Sequence, residues 1–260
     1  MITNSPDDQT TPSHASNAQN AAVDAAEVAK FDAIAHRFWD PQGEFGTLHS
    51  INPARANFIA DRAALRGVRV ADVGCGGGLL AETLARRGAE VTAIDMAPGM
   101  VDVARLHAAG EGLKIDYRLQ TAESLAGEAP ASFDVVTCME MLEHLPDPAA
   151  MVQTLAQLVR PGGSIFLSTL NRNPRSFLLA IVGAEYITRL VPRGTHEYER
   201  LIRPSEIAAW ARAAELELLE FGGLEYDPLT RNTRLTADIR VNYLAHLSRP
   251  SSGAAAPART

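Results

Sequence analysis

From Val68 onward the chain alternates short apolar runs with amphipathic stretches. Val68–Val73, Glu90–Asp95, Ile115–Leu119, Phe133–Cys138 and Ser164–Thr169 read as strands. Leu79–Arg87, Pro98–Ala109 and Pro148–Val159 between them read as helices, the last stopped by Pro161-Gly162-Gly163. Strands that alternate with helices predict βαβ units and a parallel sheet covered on both faces. The fourth and fifth strands are apolar throughout, as strands buried on both faces should be. A helix over Pro204–Ala214 and strands near Leu216–Phe221 and Ile239–Ala245 complete an α/β fold, Rossmann-like, with a mostly parallel seven-stranded sheet.

Upstream, Val28–Trp39 has the spacing of an amphipathic helix, with Phe31, Ile34, Ala35 and Phe38 on one face. Asn52-Pro53 predicts the start of another, with Asn as cap and Pro at the first helical position, burying Ala56, Ile59 and Ala63. Residues 1–27 and 249–260, rich in Ser, Thr, Asn, Gln and Ala, read as disordered tails around one domain, 28–248. Residues 172–203 form an irregular insertion within it.

Composition narrows the setting. The formal charge of −7 disfavours a nucleic-acid partner. The two cysteines, Cys75 and Cys138, fall in expected core elements, so a reducing cytoplasm is the expected compartment and no disulfide framework is indicated. The start lacks the basic end and apolar stretch of a secretory signal, and no apolar segment approaches the ~20 residues that span a bilayer.

Candidate chemistry begins at Gly74, Gly76, Gly77 and Gly78, directly after the first strand. Glycines there permit a tight turn and bring backbone N–H groups towards a ligand at the next helix N-terminus. Asp95 ends the second strand, where an acid commonly binds ribose hydroxyls. A dinucleotide fingerprint would require a last glycine where Leu79 stands. Asp72, close to the turn, suits a cationic ligand better than a pyrophosphate. S-adenosylmethionine, with a sulfonium, an amino group and ribose hydroxyls but no phosphate, fits Asp72, Gly74, Gly76 and Asp95. A tight turn without a ligand is the plainer alternative.

DVGCGGG, AID at the second strand and FDVVTC at the fourth resemble the class I S-adenosylmethionine-dependent methyltransferases. RFWDPQGEFGTLHSINPAR, TCMEMLEHLPDP, STLNRNPRSFLLAIVGAEYITRLVPRGTHEY and VNYLAH are similar to the ubiquinone biosynthesis O-methyltransferase family, from about Phe31 to Leu247. The resemblance implies methylation of ring hydroxyls on a polyprenyl catechol and on 3-demethylubiquinol. It implies cofactor contacts at Arg55, Gly74, Asp95 and Met139, and it allows other enzymes of ubiquinone synthesis as partners. Met96 adjoins Asp95 and is an adenine contact by position. A solvated helix charge for Arg55 and a simple core role for Met139 remain the bland readings.

A phenol of pKa about 10 is a poor nucleophile at neutral pH, so its proton must be removed or its anion stabilised. Glu140-Met141-Leu142-Glu143-His144 follows the fourth strand, at the expected substrate edge. His144, with Glu143, is the candidate for acid–base work. Alternatively Glu140, Glu143 and His144 would hold a divalent cation such as Mg2+, which a catechol chelates. Shaping of the loop, stiffened by Pro146 and Pro148, is the third reading; His49 and His196 are weaker candidates.

Within the insertion, Arg172, Arg175, Arg189 and Arg193 stand against one acid, Glu185, with apolar residues between. An apolar face with a basic rim suits an anionic bilayer surface, so residues 172–193 are expected either to dock on the inner face of the cytoplasmic membrane or to pack as a lid. A methyltransferase of another small phenolic acceptor, and a non-catalytic module of the same fold, are the competing readings.

Overall fold

The computed structural model describes residues 24–176 and 198–251. Its strands are β1 (Arg69–Val73), β2 (Glu90–Asp95), β3 (Asp116–Leu119), β4 (Phe133–Met139), β5 (Val159–Leu170), β6 (Glu217–Tyr226), β7 (Thr233–Thr236) and β8 (Asn242–Ser248). They form one sheet in the order β3-β2-β1-β4-β5-β8-β6-β7. The five strands β1 to β5 pair in parallel, whereas β8 runs antiparallel between β5 and β6. The sheet therefore has eight strands among the described residues, one more than the apolar pattern predicts. The extra strand, β7, closes a hairpin on β6. Its sequence TRLT is half exposed and carries neither an apolar run nor a clean alternation, so nothing in it signalled a strand.

The longer helices are α1 (Ala25–Ile34), α2 (Gly46–Ala60), α3 (Leu79–Arg86), α4 (Pro98–Gly110), α5 (Ala122–Glu128), α6 (Pro148–Leu158) and α7 (Pro204–Ala213). They cover both faces, as predicted. Ile59 of α2, Leu84 of α3 and Ala104 of α4 pack with Val70, Ala93 and Phe166 on one face. Leu125 of α5, Leu155 of α6 and Ile207 of α7 pack with Ala71, Val136 and Leu167 on the other. The buried parallel strands contribute to both clusters, which is why their sequences are apolar without alternation.

Several boundaries differ from the sequence reading. The first helix starts at Ala25, inside the stretch read as a tail, because the Asp24 side chain caps it by accepting from the N–H groups of Ala26 (3.1 Å) and Glu27 (3.4 Å). The second starts at Gly46, so Pro53 lies inside it and Asn52 is no cap. The Asn52 amide instead donates to Thr83 Oγ1 (2.9 Å) and Leu79 O (3.3 Å), tying α2 to α3. Pro161-Gly162-Gly163 belongs to β5, where Gly162 (φ +77°) and a register jump opposite Phe133–Val135 mark a bulge. The domain also runs past 248, because Arg249 Nη1 donates to the carbonyls of Ala156 (3.0 Å) and Val159 (2.8 Å). The rest of the two tails, and residues 177–197 of the insertion with His196, lie outside the described residues. No helix among the described residues is long and apolar enough to cross a membrane.

Candidate active site

The carboxyl ends of β1, β2 and β4 frame a cavity of about 200 Å³, lined by Arg55, Asp72, Gly74, Gly76, Asp95, Met96, Met139, Glu140 and His144 among others. All the predicted cofactor residues are thus brought together. The glycine loop is specified by its neighbours as well as by its backbone. Gly74 (φ +72°) and Gly78 (φ +90°) sit in the left-handed region, and a Cβ on them would lie 2.2 Å from Met141 Sδ and 2.2 Å from Tyr117 Oη. At Gly77 the added atom would meet Phe38 at 2.3 Å. Trp39 Nε1 donates to Gly77 O (3.1 Å), while its ring stacks on His107 at 3.4 Å. His107 Nδ1 in turn lies 2.7 Å from Glu82 Oε1.

Asp95 is fixed by two backbone donors, Gly76 N to Oδ2 (2.8 Å) and Ala97 N to Oδ1 (2.9 Å). Burial raises its pKa, and these hydrogen bonds oppose that by stabilising the charged form. The carboxylate keeps lone pairs for further donors such as ribose hydroxyls. Asp72 is 2% exposed; its Oδ1 accepts from Thr137 Oγ1 (2.6 Å), and burial pushes its pKa up to about 6. Arg55 is 4% exposed, with its pKa lowered by burial and held up by the charges of Glu140 and Asp72. Asp72 Oδ2 and Arg55 Nε have no hydrogen-bond partner among the described residues. Buried polar atoms are rarely left unpaired, so two of opposite charge lining one cavity mark a site built for a zwitterion. The methionyl end of S-adenosylmethionine is one, and the residues present fit that group.

The Glu140–His144 segment does not assemble as a metal site. Glu140, at φ +52°, accepts at Oε1 from Ser168 Oγ (2.8 Å) and Asn242 Nδ2 (3.4 Å). Glu143 lies outside the cavity lining, 3% exposed, and accepts from Thr169 Oγ1 (2.9 Å). Burial, then the charge of Glu140, push its pKa up to about 8; its place outside the cavity lining, not this shift, keeps it from facing substrate. His144 Nδ1 lies 2.9 Å from Glu27 Oε2, and Phe31 meets its ring edge-on at 5.2 Å. Among the described residues no group of three His, Cys, Asp or Glu side chains stands close enough to hold a metal ion. The expected Glu140, Glu143 and His144 ligand set is therefore not formed, because each side chain is turned to a different partner.

Glu27 was missed, having been assigned to a tail. The signal was present: Asp24-Ala25-Ala26-Glu27 has the cap-x-x-Glu spacing that opens helices. His49 serves the framework, with Nε2 2.9 Å from Phe38 O. The roles of Ser168, Thr169 and Asn242 depend on β4, β5 and β8 lying side by side, and no local pattern shows that.

A glycine loop after β1, an acid ending β2 and a buried Arg–Asp pair, set in this sheet order, define a class I S-adenosylmethionine-dependent methyltransferase. A methyltransferase-domain family model matches residues 71–167, and solved methyltransferases share the fold. One is a possible histamine N-methyltransferase from Thermotoga maritima (16% identical, TM-score 0.62, covering 86% of this chain and 99% of that one). Another is the magnesium protoporphyrin IX methyltransferase of Synechocystis PCC 6803 with bound SAH (19% identical, TM-score 0.60, covering 85% and 94%). Curated relatives named ubiquinone biosynthesis O-methyltransferase are 54% identical over 229 residues in Stutzerimonas stutzeri (88% of this chain, 99% of the relative) and 55% over 227 in Pseudomonas aeruginosa strain LESB58 (87% and 98%). The chain belongs to the ubiquinone biosynthesis O-methyltransferase family and uses S-adenosylmethionine as its cofactor.

Proposed function

We propose that this chain methylates ring hydroxyls of polyprenylated catechols on the route to ubiquinone, with His144 as the proton acceptor. The observation that carries the reading is that His144, held by Glu27, lines the same cavity as the cofactor residues. Bound S-adenosylmethionine supplies an activated methyl group. Arg55 pairs with its carboxylate, Asp72 takes its ammonium, Asp95 takes ribose hydroxyls, and Met96 and Met139 pack against its apolar parts. Gly74 and Gly76 keep the loop close to it.

Burial pushes the Glu27 carboxyl up, but hydrogen bonds and charge from Lys30 and His144 outweigh it, and its pKa lies below the ordinary value. Glu27 is then ionised at neutral pH and only accepts, so the shared proton sits on His144 Nδ1 and Nε2 is the basic nitrogen. This is the orienting role a carboxylate plays towards an imidazole base. Removing the phenolic proton as the oxygen attacks is worth roughly 10²–10⁴ in rate.

The polyprenyl tail of such an acceptor lies in a bilayer. The arginine-rimmed apolar stretch 172–193, whose residues 177–193 stand outside the described part, supports a membrane-surface setting. The test is transfer of labelled methyl to a short-chain prenyl catechol, with and without a chelator. Transfer should be indifferent to chelator and fall by about 10²-fold or more in His144→Asn. Transfer abolished by chelator, or untouched in His144→Asn, would overturn the assignment of the base. No transfer at all, with cofactor bound, would overturn the substrate class.

A further inference from the structure

The glycine loop is held by two residues that do not themselves line the cofactor cavity, Trp39 and His107. Their arrangement starts from Glu82 on α3, which is fully buried with both carboxylate oxygens engaged. Oε2 accepts from Arg86 Nη2 (2.9 Å), and Oε1 lies 2.7 Å from His107 Nδ1, late on α4. A carboxylate only accepts, so the proton of the second bond sits on Nδ1. A buried charge needs such partners, and the bond in return fixes the plane of the His107 ring, although that side chain is 31% exposed. Glu111 shares Arg86 from 3.0 Å.

The Trp39 indole lies flat on that imidazole, with 5° between the planes and 3.4 Å between centroids, and His49 meets it edge-on at 5.6 Å. Held in this way, Trp39 Nε1 donates to Gly77 O (3.1 Å). The Gly77 carbonyl belongs to the same peptide unit as Gly78 N, which donates to Cys75 O (3.0 Å) and closes the turn of the loop. Both ends of that peptide are therefore tied, one within the loop and one by Trp39. Gly76 (φ +53°) and Gly78 (φ +90°) flank it and offer little steric resistance to rotation. Order in a loop so rich in glycine has to come from outside it.

We propose that His107 is a positioning residue for the cofactor: held by Glu82, it sets the Trp39 indole that pins the Gly77–Gly78 peptide, and so preorders the glycine loop for S-adenosylmethionine. Without this tether the cost of ordering the loop falls on the binding step. The tether concerns the cofactor alone and is independent of the acceptor and of the base.

The experiment measures the dissociation constant for S-adenosylmethionine by calorimetry on the full chain, in wild type, His107→Gln, Trp39→Phe and the double variant. Gln still donates to Glu82, so the buried carboxylate stays paired while the flat ring is lost; Phe keeps a ring against His107 and loses the N–H. One net hydrogen bond corresponds to roughly three- to tenfold, so each single variant should raise the dissociation constant by about that factor. The two effects should not multiply: once the indole N–H is gone, His107→Gln should add less than about twofold. With an acceptor that wild type methylates, KM for S-adenosylmethionine should rise while kcat stays within about twofold. Binding unchanged in either single variant, full multiplication in the double variant, or a fall in kcat with KM intact would overturn the positioning role. Trp39→Phe leaves Glu82 and its partners in place, so it tests the tether even where a change at His107 unfolds the chain.

Discussion

Replacing Glu143 by Gln should make the protein's stability less dependent on pH, and the size of the effect follows from the burial of this carboxyl. Glu143 is 3% exposed; Thr169 satisfies Oε2 at 2.9 Å, and Oε1 has no partner among the described residues. Burial first, and then the neighbouring Glu140, push its pKa from 4.5 to about 8. Between those two values the folded protein holds a proton that the unfolded chain has lost, so this group's contribution to stability falls as pH rises. Each pH unit in that window costs about 1.4 kcal/mol, which accumulates to about 3 kcal/mol by about pH 7 and levels off above about pH 8. Gln keeps the shape and an acceptor for Thr169 but cannot ionise. Its extra N–H pair adds a cost of roughly 1–3 kcal/mol if unsatisfied, and that cost does not vary with pH. The informative quantity is therefore the slope. Urea unfolding of wild type and Glu143→Gln at about pH 5 and about pH 8 should show the variant gaining about 3 kcal/mol relative to wild type across the interval. A difference that stays constant with pH, or moves the other way, would refute a neutral buried Glu143.

Arg55→Ala should raise the dissociation constant for S-adenosylmethionine roughly 10- to 100-fold by calorimetry, if Arg55 makes the proposed charge-assisted pair with the cofactor's carboxylate. Gly74→Ala places a methyl 2.2 Å from Met141 Sδ at φ +72°, and should lower stability by about 1–3 kcal/mol in thermal unfolding while weakening cofactor binding. Glu27→Gln should cut kcat roughly 10-fold or more, with the pH profile of kcat displaced and KM for S-adenosylmethionine little changed. A profile superimposable on wild type would mean that Glu27 only packs α1.

Where chemistry is local, the chain declares it. The strand EVTAID is bounded in the structure as its apolar run suggests, and Asp95 closes it beside the glycine loop. Gly74, Gly76, Asp72 and Asp95 are close in space because one βαβ unit carries them. Arg55 and Met139 come from more distant elements and were legible only through longer strings shared with a family. What stayed hidden depends on contacts between remote elements. Glu27 reaches His144 across 117 positions, and Asn242 reaches Glu140 across 102. The supposed metal ligands looked plausible because Glu140, Glu143 and His144 adjoin in sequence. The left-handed backbone at Glu140 and the short 3-10 turn Leu142–His144 send the three side chains apart. Asn52-Pro53 misled for the opposite reason: a good local helix start was overridden by tertiary bonds from Asn52 to α3.

The contact between Trp39 and Gly77 has an optical consequence. Of the two tryptophans in the chain, Trp39 has its indole N–H tied to the carbonyl of the cofactor loop and its ring stacked on an imidazole. Trp210 belongs to α7 and packs into the cluster on the other face of the sheet. With Trp210 changed to Phe, the chain would carry a single native emitter at the loop. Its emission would then follow the loop's occupancy during titration or rapid mixing, without an attached dye.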